Sequence, residues 1–103
     1  MSDEIRLSAK GLRLVRYLLD NLMSGQSGAD ISRATGVGSG SLYPLLAKLE
    51  AEGWVKGEWE AQSAHELGRP RRKLYTLTGI GQINARNALE GRPFVTGDAA
   101  WAT

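Results

Sequence analysis

The sequence lacks cysteine altogether and contains a single histidine, His65. Without thiols, the chain cannot form disulfides, thiolate nucleophiles or cysteine-containing zinc sites. One histidine cannot fill every role in a catalytic or metal-binding set, and we expect it to be a surface loop residue. The glycine-rich segment 36–40 also lacks the lysine that follows in a phosphate-binding loop. These absences argue against an enzyme, and we expect no cofactor and no metal site.

Neither a long apolar run nor a large excess of one charge is present. No segment reaches the ~18 consecutive apolar residues of a membrane span, and the polar, acidic first residues do not resemble a signal peptide. The net charge of +2 does not identify a nucleic-acid binder, because the position of the charges matters more than their sum. We expect one globular domain at 1–90 with a tail at 91–103, in the cytoplasm of a prokaryote or of a virus-infected cell.

The spacing of apolar residues, glycine and proline predicts the element order α-α-α-β-β-α. Helices are expected where apolar residues recur every three or four positions, and strands where short aromatic segments alternate. The predicted helices cover about residues 8–23, 29–35, 39–52 and 78–89, and the predicted strands cover 54–60 and 72–77. Ser8 and Thr78 are the expected N-caps of the first and last helices. Pro44 is tolerated only in the first turn of a helix, so the third helix should begin near 39–41. The predicted fold is therefore mainly α with a small β-hairpin (α+β).

The same periodicity predicts which side chains are buried. Met23 is expected to complete the apolar stripe of the first helix, and Ala34 to be a buried contact of the second. Gly36 should end the second helix in the left-handed conformation. Trp54 and Trp59 are expected to pack against the helices as part of the core, and the alternative is that a flat hydrophobic ligand lies between aromatic faces there.

This order of elements is typical of a winged helix-turn-helix. A short helix joined by a glycine turn to a leucine-striped helix forms the helix-turn-helix, and the hairpin after it is the wing. The second of these helices can lie in the major groove of DNA, with its N-terminal residues at base edges. The polar loop 61–71 and the start of the next strand then bring basic residues to phosphates or to the minor groove. A charge run can also be only a solvated face, and this alternative remains open.

Candidate DNA contacts lie at the start of the third helix and in the wing. The set is Ser39, Ser41, Tyr43, Lys48, Arg33, Arg69, Arg71, Arg72 and Lys73. Hydroxyls can contact phosphates and base edges, although the serines can equally act as N-caps and the tyrosine can pack on the wing. Lys48 is a candidate phosphate contact or a solubility residue, and Arg33 a candidate backbone contact. Strand alternation predicts that Arg71 and Lys73 point one way and Arg72 the other.

Three segments resemble the PadR-like transcriptional regulators. The recognition-helix signature of that family resembles Gly40-Ser41-Leu42-Tyr43-Pro44-Leu45-Leu46 and Leu49-Glu50-Ala51-Glu52-Gly53, and its wing resembles Gly68-Arg69-Pro70-Arg71-Arg72-Lys73-Leu74-Tyr75-Thr76-Leu77-Thr78. Gly81 also falls where the family places a glycine, and the resemblance covers about 12–89. It implies a dimeric winged-helix protein that binds duplex DNA, usually as a repressor. Family members carry long C-terminal helices that build the dimer, so the resemblance implies a minimal version whose dimer mode is open.

Three functions are compatible with these features. The first is a sequence-specific regulator that binds a pseudo-palindromic site as a homodimer. The second is a winged helix that binds another protein, as the small net charge and the acidic Glu50 and Glu52 suggest. The third is an architectural DNA binder of low specificity. Apolar residues such as Leu12, Leu19 and Ile83 are candidates for a dimer surface, and Trp101 either anchors the tail on a neighbouring subunit or lies free. No membrane partner is expected, and the sequence identifies no small-molecule effector.

Overall fold

Five helices and three strands make up residues 7–95, the part of the chain that the computed structural model describes. The helices are α1 (Ala9–Asp20), α2 (Gly28–Thr35), α3 (Ser39–Ala51), α4 (Ala64–Leu67) and α5 (Gly79–Leu89), and the strands are β1 (Gln26–Ser27), β2 (Val55–Trp59) and β3 (Lys73–Leu77). The predicted order of helices and hairpin is confirmed. β1 and α4 were not predicted, because a two-residue strand and a one-turn helix carry too little periodicity to be recognised in the sequence.

The helix starts and the turn before α3 have the features that the sequence indicates. Ser8 caps α1 by accepting a hydrogen bond from the backbone N–H of Gly11 at 3.3 Å. Thr78 caps α5 by accepting from the backbone N–H of Gly81 at 3.0 Å. Gly36 follows α2 with a φ of 76°, in the left-handed region that a side chain disfavours. The chain therefore turns sharply between α2 and α3.

The three strands form one antiparallel sheet in the order β1-β3-β2. β2 and β3 form the predicted hairpin, and β1 pairs with the other edge of β3. In this second pairing Gln26 lies opposite Tyr75, and Ser27 lies opposite Leu74. Gly25 permits the close approach, because a Cβ at this position would lie 2.8 Å from the Cβ of Leu74. The residues that lead into α2 are therefore joined directly to the wing.

The core lies where the helices meet the inner face of the sheet. Its buried apolar side chains are Leu14, Val15, Leu18, Ile31, Val37, Leu42, Leu46, Leu49, Trp54, Val55, Tyr75, Leu77 and Ala85. The predicted burial of Trp54 is confirmed, and its ring meets that of Phe94 edge-on with centroids 4.9 Å apart. α5 packs directly on the backbone at Trp54, where a Cβ on Gly81 would collide with the carbonyl group.

Three predictions of burial were wrong. Met23 is 98% exposed, because α1 ends at Asp20 and Met23 lies beyond the helical face. Ala34 is exposed, and the fully buried Val37 beyond the turn supplies the apolar contact instead. Trp59 is 59% exposed, because it is the last residue of β2 and lies at the end of the hairpin, away from the buried base of the strand.

The segment after α5 folds back onto the helix. The buried side-chain amide of Asn84 donates to the carbonyl of Val95 and accepts from its N–H, each at 2.7 Å. Packing therefore continues past residue 90, and the domain boundary at that residue remains a prediction. Trp101 lies outside the described residues. No helix within 7–95 has the length and apolar character needed to cross a membrane.

Candidate nucleic-acid interface

The start of α3 presents hydroxyl groups that the helix does not use for capping. Gly38 is the N-cap residue, and no side chain forms a cap hydrogen bond there. Ser39 and Ser41 are both exposed on the first turn, so neither is occupied in the way that an N-cap serine would be. Of the two roles that the sequence leaves open for these serines, capping is therefore not used in this structure.

Lys10 is a residue of this surface that the sequence analysis missed. Its ammonium group lies 3.3 Å from the hydroxyl of Ser41, and both side chains are exposed. The two residues are 31 positions apart, so no local pattern could have indicated the contact. Lys48 lies two helical turns after Ser41 and shares its edge of α3. No carboxylate lies within 4.0 Å of Lys48 among residues 7–95.

Tyr43 occupies the opposite edge of α3, nearer to the wing. Its side chain is 49% exposed, and its ring lies across the start of α2, where a Cβ on Gly28 would collide with it. The tyrosine therefore combines a packed surface with an available one. Glu50 lies two turns later on the same edge and pairs with the wing, with its Oε1 3.1 Å from the Nζ of Lys73.

The predicted basic cluster of the wing divides into paired and unpaired residues. Arg69 forms two parallel hydrogen bonds with the carboxylate of Glu60, at 2.7 and 2.9 Å. Glu60 also accepts from the backbone N–H of Arg72 at 2.8 Å. The bonds from Arg69 and then that from Arg72 lower the pKa of Glu60 to about 2. Arg71 donates from Nε to the backbone carbonyl of Glu60 at 2.8 Å, so this glutamate organises the base of the wing loop.

Lys73 is the second paired cation of the wing. Its hydrogen bond with Glu50 raises the pKa of its ammonium group, which also lies 5.6 Å from the centre of the Tyr75 ring. Gly57 on the neighbouring strand leaves room for this path, because a Cβ there would collide with the Lys73 side chain. By contrast, no carboxylate lies within 4.0 Å of the exposed side chains of Arg71 and Arg72 in the described part of the chain.

Arg33 is the least integrated of the predicted contacts. It is exposed on α2 and forms a 2.9 Å ion pair with Asp30. The same Asp30 carboxylate completes the capping box of α2 with Ser27, and these hydrogen bonds, more than the arginine, lower the pKa of Asp30. No hydrogen bond in the described residues joins Arg33 to α3 or to the wing.

A cleft of about 400 Å³ separates the Tyr43 edge of α3 from the inner face of the wing. Its lining includes Tyr43, Trp59, Arg71, Arg72 and Tyr75. The structure therefore brings the candidates Tyr43, Arg71 and Arg72 to one concave surface, together with an aromatic residue that the sequence analysis placed in the core.

Comparisons with solved structures find the same fold in bacterial transcription regulators. MepR, a transcription regulator of the Staphylococcus aureus multidrug efflux pump MepA, is 21% identical with a TM-score of 0.67, and the match covers 82% of this chain and 56% of that chain. AbfR of Staphylococcus epidermidis is 28% identical with a TM-score of 0.59, over 80% of this chain and 50% of that chain. This chain thus spans little more than half of the length of MepR. No curated protein matches it in sequence.

A shorter solved relative matches more of its own length. The PadR-like transcription factor from Bacteroides fragilis is 29% identical with a TM-score of 0.61, and the match covers 80% of each chain. The family model described as the transcriptional regulator PadR-like family matches residues 28–87. That segment includes α2, α3 and the whole wing, and it is more than half of the 103 residues. The chain therefore belongs to the PadR-like transcriptional regulator family.

Proposed function

We propose that this protein regulates transcription by binding duplex DNA, with α3 in the major groove and the wing on phosphates or in the minor groove. One observation carries the proposal. The exposed residues Ser41 and Tyr43 at the start of α3 have cations on two sides, with Lys10 beside Ser41 and with Arg71 and Arg72 lining the same cleft as Tyr43. Charges placed in this way attract the phosphate backbone on both sides of a groove, while the helix start reaches base edges. The solved MepR–DNA complex supports the proposal by its fold.

The outward strip of α3 suggests how base pairs are distinguished. Between the Ser41 edge and the Tyr43 edge lie the exposed residues Gly40, Pro44 and Ala47. Their small side chains allow the helix to approach the groove floor closely, and the methyl group of Ala47 favours contact with the methyl group of thymine. Hydrogen-bonding readout then comes from the two edges of the helix. Arg33 adds at most a backbone contact, because Asp30 neutralises it.

The protein acts as a homodimeric repressor in this proposal, and not as an enzyme. A dimer would read two half-sites related by a two-fold axis. Ile83 is exposed on the outer side of α5, whereas Leu12 and Leu19 are partly buried on α1, so Ile83 is the better placed of these for a subunit contact. The cytoplasmic location also remains a prediction.

The alternative of a protein-binding module is weakened by one contact. Its motivation in the sequence is the acidic end of α3, but Glu50 is paired with Lys73 of the wing. Of that acidic pair, Glu52 alone then remains without an ion pair among residues 7–95. An architectural role of low specificity remains the second candidate, since the same cations would serve it.

The test is a titration of random-sequence duplex DNA at several salt concentrations, in which binding is measured by fluorescence anisotropy. The bound fraction is then sequenced. We expect binding that weakens steeply with salt, and enrichment of a two-fold symmetric motif. Reversal of the wing charge by Arg71→Glu with Arg72→Glu should abolish binding, while Arg16→Glu on α1 should not. Salt-dependent binding with no enriched motif would favour the architectural role, and no binding at low salt would refute the proposal.

A further inference from the structure

Trp59 is a large aromatic side chain that does not pack into the core. It ends β2 opposite Lys73 and is 59% exposed, on the same face of the hairpin as Gly57 and Tyr75. That face is turned toward α3, and Trp59 lines the cleft there. The cleft volume of about 400 Å³ falls within the range of ~300–1,000 Å³ that small ligands occupy. A flat apolar surface is therefore held open beside the recognition helix.

The chemistry of the cleft combines aromatic walls with unpaired cations. Tyr43 and Trp59 contribute half-exposed rings from its two sides. Arg71 and Arg72 line it without a carboxylate within 4.0 Å among the described residues, whereas Lys73 is occupied by Glu50. Such a surface is complementary to a ligand that is anionic at one end and apolar at the other. A deoxyribose with its flanking phosphate has this character.

We infer that this cleft holds the sugar–phosphate strand that divides the major groove from the minor groove, with Trp59 packed against a deoxyribose. The inference rests on the proposed function. When a helix lies in the major groove and a hairpin tip reaches the adjacent minor groove, the strand between the two grooves has to pass between helix and hairpin. The cleft lies in that position, between Tyr43 on α3 and Trp59 on β2. Arg71 and Arg72 pair with the phosphates of this strand.

The first experiment replaces Trp59 and measures affinity for a duplex selected from the random pool. We expect Trp59→Ala to weaken binding about five- to tenfold, an effect at the lower end of aromatic contacts with nucleotides. Trp59→Phe should restore most of the affinity. The dependence of log K on log salt should stay unchanged in both variants, because no charge is lost. Met23→Ala, which removes another exposed apolar side chain just beyond α1, is the matched control and should bind as the wild type does.

The second experiment locates the strand by replacing single phosphates with neutral methylphosphonates. A methylphosphonate at one position of the strand between the two groove contacts should weaken wild-type binding. The same substitution should have no further effect on the Arg71→Ala, Arg72→Ala double variant, whose salt slope should already be lower by about two. Arg86→Ala, an exposed arginine on α5, should keep the wild-type sensitivity.

The outcomes separate the inference from the function on which it rests. Affinity of Trp59→Ala within twofold of the wild type, with unchanged thermal unfolding, would overturn the inference while DNA binding stands. A wild-type protein that binds no duplex would instead refute the proposed function. Thymidine monophosphate serves as the free-ligand probe. Because it carries the deoxyribose and the phosphate that the cleft is inferred to hold, it should quench the fluorescence of the wild type more than that of Trp59→Phe and should compete with DNA. Equal quenching of the two proteins would mean that the nucleotide does not reach Trp59, and this result would count against the inference.

Discussion

Glu60 holds Arg69 through two parallel hydrogen bonds, so Arg69 is not one of the wing cations that lack a carboxylate partner. The bonds measure 2.7 and 2.9 Å, and the same carboxylate accepts from the backbone N–H of Arg72. Charge-assisted bonds of this bidentate kind fix geometry as well as charge. Arg69 is therefore a structural residue of the wing loop, and the DNA contact proposed for the wing depends on Arg71 and Arg72.

The first prediction concerns acid. The pKa of Glu60 is lowered from 4.5 to about 2, so its stabilising effect is complete above pH 4.5 and is lost as the pH falls through about 2. Glu60→Gln should reduce the free energy of unfolding near neutral pH, and the difference from the wild type should shrink in acid. Urea unfolding at pH 6, 4 and 2.5 measures this difference. Glu58→Gln is the control, because it also removes one negative charge but breaks only an exposed 3.8 Å pair with Lys56. A loss of unfolding free energy as large as that of Glu60→Gln would contradict the prediction.

The second prediction concerns Lys73, whose ammonium group is paired with Glu50. Glu50→Gln should release the ammonium group, strengthen DNA binding and steepen the salt dependence by about one phosphate contact. Anisotropy titrations at several salt concentrations give both quantities. Glu52→Gln makes the same charge change on the same end of α3 without breaking an ion pair. Equal slopes for the two variants would show that Lys73 gains no phosphate.

The third prediction separates the roles of two serines. Ser41→Ala should leave the free energy of unfolding within about 0.5 kcal/mol of the wild type, because Ser41 caps no helix. Ser8→Ala should lower it by about 1 kcal/mol, because Ser8 is the N-cap of α1. DNA affinity should show the reverse order, with Ser41→Ala the weaker binder. If Ser41→Ala bound DNA as tightly as the wild type, its hydroxyl would not belong to the interface.

The fourth prediction concerns the contact between α5 and the hairpin. A Cβ at Gly81 would collide with the backbone carbonyl of Trp54, so Gly81→Ala should cost roughly 3 kcal/mol or more, or prevent folding. Gly79→Ala is the matched control in the first turn of the same helix, where a Cβ would meet no atom within 4 Å. It should be neutral or slightly stabilising. Chemical unfolding of both variants tests the pair, and similar stabilities would contradict the packing described.

Local patterns predicted the helical frame because the decisive interactions are local. Ser8 and Thr78 each cap a helix by accepting a hydrogen bond from the backbone N–H three residues later. The apolar positions of α3 repeat within two turns. Gly36 takes its left-handed conformation for reasons contained in one residue. These features could be predicted in full from the sequence.

The site was predicted in composition but not in arrangement. The basic cluster is visible in the sequence, yet its division depends on Glu60 and on Glu50, which lies 23 positions from its partner. Lys10 joins the surface through a contact across 31 positions. Trp59 was assigned to the core because aromatic strands are usually covered, and whether a helix covers the end of a hairpin is decided by tertiary packing.

Strand β1 changes how the molecule should respond to force and to heat. Ser27 is at once the N-cap of α2 and the partner of Leu74 in the sheet. Unfolding of the wing therefore removes the strand partner of Ser27, the N-cap of α2. Unfolding of α2 in turn frees β1 from the edge of β3. The helix-turn-helix and the wing should therefore unfold in one cooperative step, with backbone amides of α2 and β3 exchanging with solvent at a common rate. A tilt of the hairpin would likewise tilt α2, so the helix-turn-helix and the wing should move as one rigid unit.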